Sequence, residues 1–202
     1  MSKILVAYIT NCGTTRDVAE AVAEEINKTG FETEVKPLME VETTEAYAGV
    51  VLGAPMIIGW HKNALQYLKQ HKQELAKKPL ALFLMGMSLT EWPLAQPLTF
   101  DLKVDSRLSV TTQKTGRLSF KEKFTTLQHY IEPVLKTAPE SLSAAAFFGG
   151  RLDFRRPKWW EVAFVMLVIG AKPGEKRNYA EIRAWAASLP TLMKIEKADR
   201  KS

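Results

Sequence analysis

The residues best suited to chemistry lie near the start of the chain, in Thr10-Asn11-Cys12-Gly13-Thr14-Thr15. This run of hydroxyls, an amide, a thiol and a glycine follows the apolar stretch Ile4 to Ile9 and precedes Val18, Ala19, Val22 and Ile26, which fall at helical spacing. A strand that passes into a helix through such a turn aims backbone N–H groups and the positive end of the helix dipole at one point, which makes an anion site. The same pattern equally describes a strand, an Asx-type cap and a helix with no ligand. The turn lacks the Gly-x-x-x-x-Gly-Lys-Ser/Thr spacing, so no lysine is set against a terminal phosphate. With Gly13 as its single glycine it also fails as a dinucleotide fingerprint. One compact phosphate is the ligand that remains.

Two more loops of small residues follow apolar runs: Ala54-Pro55-Met56-Ile57-Ile58-Gly59-Trp60-His61 and Gly86-Met87-Ser88-Leu89-Thr90. Trp60 offers a flat apolar face to a planar ligand, or simply packs beneath its loop. His61 is the one histidine in these loops and a candidate proton relay, although a loop histidine also serves well in solvent. A third stretch carries Arg151, Arg155, Arg156 and Lys158 with Trp159 and Trp160, followed by the apolar run Val162 to Ile169. Cations and tryptophans beside an apolar helix too short to span suit a lipid interface. An ordinary helix covering a sheet fits the same run. Guanidinium forks at Arg151, Arg155 and Arg156 also suit ligand carboxylates, and the residues alone leave these readings open.

The elements that must position these groups alternate along the chain. Strands are expected at Ile4 to Ile9, at Phe31 to Lys36 near a sheet edge, at Gly49 to Gly53, at Leu80 to Met85 and at Ser143 to Phe148. Helices are expected from Val18, over Lys62 to Leu75, over Phe120 to Lys136 despite Pro133, and over Asn178 to Leu192 with Tyr179, Ile182, Trp185, Ala186 and Leu189 inward. This predicts an α/β class: a doubly wound, five-stranded parallel sheet with helices on both faces. Its ligands would lie beyond the carboxyl ends of the strands. Residues 91 to 120, rich in Ser, Thr and Pro, break the rhythm and read as an insertion before the last strand.

At 202 residues and 46% hydrophobic content the chain suits a single domain over 1–193, with a charged tail over 194–202. A strand pattern begins at Lys3, and no apolar run reaches the roughly 18 to 20 residues that span a bilayer, so a cytoplasmic protein is expected. One cysteine excludes an internal disulfide and a cysteine-based zinc site, and no metal site is expected. The net charge of +6 is uneven: residues 1 to 50 carry four cations against nine acids, a balance of −5, leaving +11 to the rest. A basic face suits nucleic acid, an anionic membrane or an acidic partner, and charge alone does not choose.

Thr10-x-x-Gly13-x-Thr15-x-x-x-Ala19-x-x-Val22, after an apolar strand and Tyr8, resembles the flavin mononucleotide (FMN) phosphate signature of flavodoxins. Cys12 stands where that family often has Thr or Ser. The resemblance implies that Thr10, Asn11, Cys12, Gly13, Thr14 and Thr15 wrap the phosphate. It further implies that the flavin ring lies between Pro55, Met56, Ile57, Ile58, Gly59 and Trp60 on one side and Gly86, Met87, Ser88 and Leu89 on the other. Gly53-Ala54 with Gly59-Trp60-His61, then Gln66 and Leu68, and Ala146-x-x-Gly149-x-Arg151-Leu-x-Phe-x-Arg156-x-x-Trp159 with Gly170 look like the bacterial menaquinone-dependent protoporphyrinogen oxidases, a flavodoxin-like family. That narrower resemblance implies an FMN enzyme with a porphyrinogen substrate, menaquinone or another quinone as acceptor, and no nucleic-acid partner. It also implies contact of Arg151, Arg155, Arg156, Lys158, Trp159 and Trp160 with substrate or with an anionic membrane surface, peripheral on the inner face of the cell membrane. Beyond the flavin no catalytic side chain is required. A flavodoxin-type electron carrier, another flavodoxin-like quinone reductase and an FMN-free binding module are the alternatives. Carriers are usually acidic, and Cys12 would be the mark of the FMN-free module.

Overall fold

A computed structural model describes residues 2–56, 59–91, 93–110, 118–152 and 174–196. Its centre is a six-stranded parallel sheet in the order β2-β1-β3-β4-β8-β6. The strands are β1 (Lys3–Tyr8), β2 (Glu32–Pro37), β3 (Gly49–Pro55), β4 (Leu80–Gly86), β6 (Asp101–Val104) and β8 (Leu142–Gly149). Two short pairs complete the strand set: β5 (Leu89–Thr90) with β7 (Ser109–Val110), and β9 (Arg151–Leu152) with β10 (Gly174–Glu175). The helices are α1 (Thr14–Lys28), α2 (Lys62–Gln70), α3 (Lys72–Leu75), α4 (Phe120–Lys123), α5 (Leu127–Thr137) and α6 (Tyr179–Leu192).

Period-two alternation in β1 divides its side chains between two cores. Ile4 and Val6 meet Val18, Val22 and Ile26 of α1 and Ile182, Trp185 and Leu189 of α6. Leu5 and Ala7 face the opposite layer, with Leu68 of α2 and Ile131 and Val134 of α5. Because both faces are covered, β3, β4 and β8 are apolar along nearly their whole length, as central parallel strands require. The outer strand β2 keeps intermediate exposure and a ladder of ion pairs, Lys3–Glu34 at 2.7 Å and Lys36–Glu34 at 2.6 Å.

Four expectations need correction. The sheet has six strands rather than five, because Asp101–Val104 inside the supposed insertion adds to the free edge of β8. Phe100, Leu102 and Val104 alternate with Asp101 and Lys103 at period two, a short strand signal that the surrounding Ser, Thr and Pro residues obscure. The Lys62 to Leu75 helix divides at His71, and Phe120 to Lys136 becomes two helices that break before Thr126, the side-chain cap of α5. Tyr179 is not inward: it lies at the exposed start of α6 beneath the Arg177 guanidinium, 5.3 Å from its ring centroid. The proposed helix over 159–169 lies outside the described residues.

Glu74 ties α3 to the acidic connection before β3. Its carboxylate accepts from the Thr44 hydroxyl at 2.7 Å, the Thr44 N–H and the Thr43 hydroxyl at 3.0 Å, and contacts His71 Nδ1 at 3.3 Å. Burial alone would raise its pKa, but the Thr44 bonds, then those of His71 and Thr43, outweigh it and hold the group at about 2. A carboxylate depressed in the folded state contributes stability above its unfolded pKa of about 4.3, and this is lost as pH falls toward about 2. Urea midpoints measured at pH 6 and pH 3 should therefore fall less for Glu74→Gln than for the wild type. An equal fall would show that Glu74 is not coupled to folding.

Candidate functional site

All six sheet strands run the same way, so the segments following β1, β3, β4 and β8 emerge at one edge of the sheet. Hydrogen bonds between neighbouring strands hold these exits together: Ile9 N–H to Gly53 O at 2.9 Å, Met56 N–H to Met85 O at 2.8 Å, and Gly150 N–H to Gly86 O at 2.6 Å. The three loops named from the sequence are thereby brought to one place.

At the first exit, Thr10 Oγ1 accepts from the Gly13 N–H at 2.8 Å and closes the turn. Gly13 has φ 90°, a left-handed conformation that a side chain would oppose. The first helical bond runs from Asp17 N–H to Gly13 O at 3.1 Å, and no side chain caps α1. The N–H groups of its first turn consequently have no intrahelical acceptor and add to the dipole at that point. Thr14 and Thr15 are buried at the base of the turn, while Asn11 and Cys12 are exposed above it. Cys12 Sγ lies 3.4 Å from Thr14 Oγ1, as a partly buried polar contact.

At the second exit, Pro55 and Gly59 are partly exposed, and an antiparallel bridge joins Met56 to Trp60. That fold-back takes Trp60 into the core beside α2, where it is only 3% exposed. The indole thus packs beneath its loop rather than standing open on it, and its Nε1 is buried with no hydrogen-bond acceptor among the described residues. Ile57 and Ile58 lie outside the described residues. His61 caps α2: its Nδ1 accepts from the Asn63 N–H at 3.3 Å, and burial lowers its pKa. Both features favour the neutral ring with its proton on Nε2.

The third exit differs from a plain loop. Met87 and Ser88 are partly exposed, but Leu89 is buried and begins β5. A fourth exit, Gly149-Gly150, leads into β9, and β10 brings the chain back beside it. Lys176 N–H donates to Gly150 O at 3.0 Å, and Lys176 Nζ to Met87 O at 2.8 Å. Arg177 reaches Asp17 in the first turn of α1 at 2.9 Å. Arg151 therefore enters at the same edge as the phosphate turn and the Met87 loop, whereas Arg155, Arg156, Lys158, Trp159 and Trp160 lie outside the described residues.

Sequence reasoning missed Asp105, Lys176 and Arg177. Asp105 is fully buried at the end of β6 and accepts from the N–H groups of Arg107 at 2.9 Å and Gly149 at 3.2 Å. The Pro173-Gly174 turn signal could have flagged the return of the chain, but nothing local shows that Glu175 pairs with Arg151.

A family model described as a flavodoxin domain matches residues 5–178. The chain belongs to the flavodoxin domain family. Protoporphyrinogen IX dehydrogenase [quinone] of Escherichia coli K12 is 23% identical over 183 residues, covering 89% of this chain and 86% of that protein. Solved structures similar to it include oxidised flavodoxin 2 from Bacillus cereus, at 16% identity, TM-score 0.47 and coverage of 96% and 98% of the two chains. A flavodoxin from the domain Archaea matches at 10% identity, TM-score 0.46 and coverage of 95% and 99%. The family and the E. coli relative support a flavodoxin-like oxidoreductase.

FMN is the cofactor that fits this edge. The uncapped start of α1, two buried threonines beside it and the small-residue turn match a phosphate. Among the described residues no helix is long and apolar enough to cross a membrane.

Proposed function

We propose that this protein is an FMN-dependent oxidoreductase that oxidises protoporphyrinogen IX to protoporphyrin IX and passes the electrons to a membrane quinone. The observation that carries the reading is the meeting of four strand exits around an uncapped helix start, with Arg151 entering beside them. Likeness to the E. coli enzyme supports a porphyrinogen substrate and a quinone acceptor. When bound, the flavin supplies acceptance of a hydride from substrate and its return toward quinone. Thr10, Asn11, Cys12 and Gly13 to Thr15 hold the phosphate, and Pro55 to Trp60 and Gly86 to Leu89 orient the ring. Trp60 does so from beneath its loop. Neutral His61 offers its Nε2 proton at the margin, while Arg151, Arg155 and Arg156 bind substrate carboxylates. Lys158, Trp159 and Trp160 rest on an anionic membrane surface.

The test is reconstitution with excess FMN, followed by anaerobic mixing with protoporphyrinogen and a menaquinone analogue. Flavin absorbance and a rise in porphyrin fluorescence above the blank are expected. Absence of flavin bands overturns the reading. Flavin without porphyrin leaves a flavodoxin-type carrier or another quinone reductase.

Cys12→Thr restores a hydroxyl at the phosphate turn and should keep or tighten FMN binding, by up to about tenfold for one added hydrogen bond. A fluorescence titration measures this, and clear weakening would mean that the turn holds the phosphate differently.

A further inference from the structure

Lys176 is fixed more firmly than a surface lysine has reason to be. Its backbone passes so close over Gly149 that a Cβ there would meet Lys176 O at 2.1 Å and its carbonyl carbon at 2.7 Å. Its N–H is bonded to Gly150 O, and its ammonium to Met87 O, each at the same sheet edge. Gly149 is held from the other side by Asp105, whose carboxylate takes its N–H. The lysine is therefore seated on a rigid strand end.

Its charge is also uncompensated by the described acids around it. Glu175, the preceding residue, is taken by Arg177 through Nε at 2.7 Å and Nη2 at 2.6 Å, and Asp17 by Arg177 Nη1 at 2.9 Å. Arg177, with its side chain only 10% exposed, thus holds both carboxylates. Asp105 spends its two oxygens on backbone N–H groups. No carboxylate among the described residues pairs with Lys176, which is left a cation bonded to one neutral carbonyl. A lone ammonium placed at a loop carbonyl is a source of positive potential for whatever lies in that loop.

We propose that Lys176 is the residue that tunes the reduction potential of the flavin, by stabilising the extra negative charge the ring carries when reduced. This rests on the reading that Gly86 to Leu89 flank the ring. Taking a porphyrinogen to a porphyrin needs three two-electron turns, and in each a substrate C–H bond would break and its hydride, two electrons and one proton, would enter the flavin, while the substrate releases a second proton to solvent. The quinone then takes that electron pair with two protons, one of them from solvent, and becomes quinol. Between these events the flavin carries one negative charge more than when oxidised. A nearby fixed cation favours that form over the oxidised one and so raises the potential for paired electron transfer.

Lys176→Met and Lys176→Gln remove the charge, and Lys176→Arg keeps it. FMN affinity is read by fluorescence titration, the potential of bound FMN by equilibration with reference dyes, and folding by thermal unfolding. The two neutral variants should bind oxidised FMN within about threefold of wild type but reduced FMN roughly tenfold more weakly, a fall of about 30 mV for a two-electron couple. Lys176→Arg should stay near the wild-type potential, which a merely structural role for the side chain would not predict. If folded Lys176→Met or Lys176→Gln binds FMN at the wild-type potential, Lys176 is not the tuning group although the flavin reading stands. If the wild-type protein takes up no FMN, the functional reading fails and this proposal with it.

Discussion

Phe83→Ala should destabilise the protein by about 3–5 kcal/mol, the range for a fully buried phenylalanine truncated in a packed core. Phe83 lies at the centre of β4, paired in register with Gly53 of β3, and makes an edge contact with Trp185 of α6 at 6.3 Å between ring centroids. Its ring occupies the space above Gly53: a Cβ on that glycine would come within 1.9 Å of Phe83 Cζ. Gly53→Ala on its own should then cost about 1–3 kcal/mol through overpacking. Because one ring is responsible for both effects, the double variant should cost less than the two single losses combined, by about 1–2 kcal/mol. Urea unfolding of the four proteins measures this, provided the m-values agree. Losses that add to within about 0.5 kcal/mol would show that the ring does not occupy the Gly53 gap.

Asp105→Ala should cost about 3 kcal/mol. The side chain is fully buried and its two oxygens satisfy the N–H groups of Arg107 and Gly149, so truncation deletes two charge-assisted bonds. The Gly149 N–H is itself buried and would be left without an acceptor. Asp105→Asn keeps one accepting oxygen but turns an NH2 toward the second donor, so about half the loss should return. The effect should also reach the site, because Gly149 supports Lys176 and, through Gly150, the Gly86 exit. FMN affinity of the folded Ala variant should fall several-fold. Urea unfolding checks the first statement and fluorescence titration the second. A loss below about 1 kcal/mol, with FMN affinity unchanged, would show that the carboxylate does not secure this edge.

These two residues mark where sequence reasoning succeeded and where it stopped. Phe83 was legible as part of a strand buried on both faces, since six consecutive apolar residues before a glycine admit few other placements. Its partnership with Gly53 was not, because register is decided by two strands meeting and not by either alone. Asp105 lies in the stretch read as an insertion, where one acid among polar residues carries no local mark of burial. Only the parallel addition of β6 to β8 encloses it. Trp60 shows the same limit from the other direction. An indole in a glycine-flanked loop is compatible with an open face or a buried one, and the bridge from Met56 to Trp60 decided for burial.

The sequence by itself determined the doubly wound α/β class, the buried parallel strands and the turn from Thr10 to Thr15. Each of these rests on short-range periodicity or on residue types within one turn of chain. Tertiary structure alone decided the pairing of the sixth strand with β8, the side of the loop on which Trp60 lies, the burial of Asp105 and the seating of Lys176 across Gly149 toward Met87. Every one of these depends on groups distant in sequence coming within hydrogen-bond or contact distance, as Gly149 meets Asp105 and Arg177 meets Asp17. Such pairings are selected by packing and by the need to satisfy buried polar groups, and neither leaves a periodic trace in the chain.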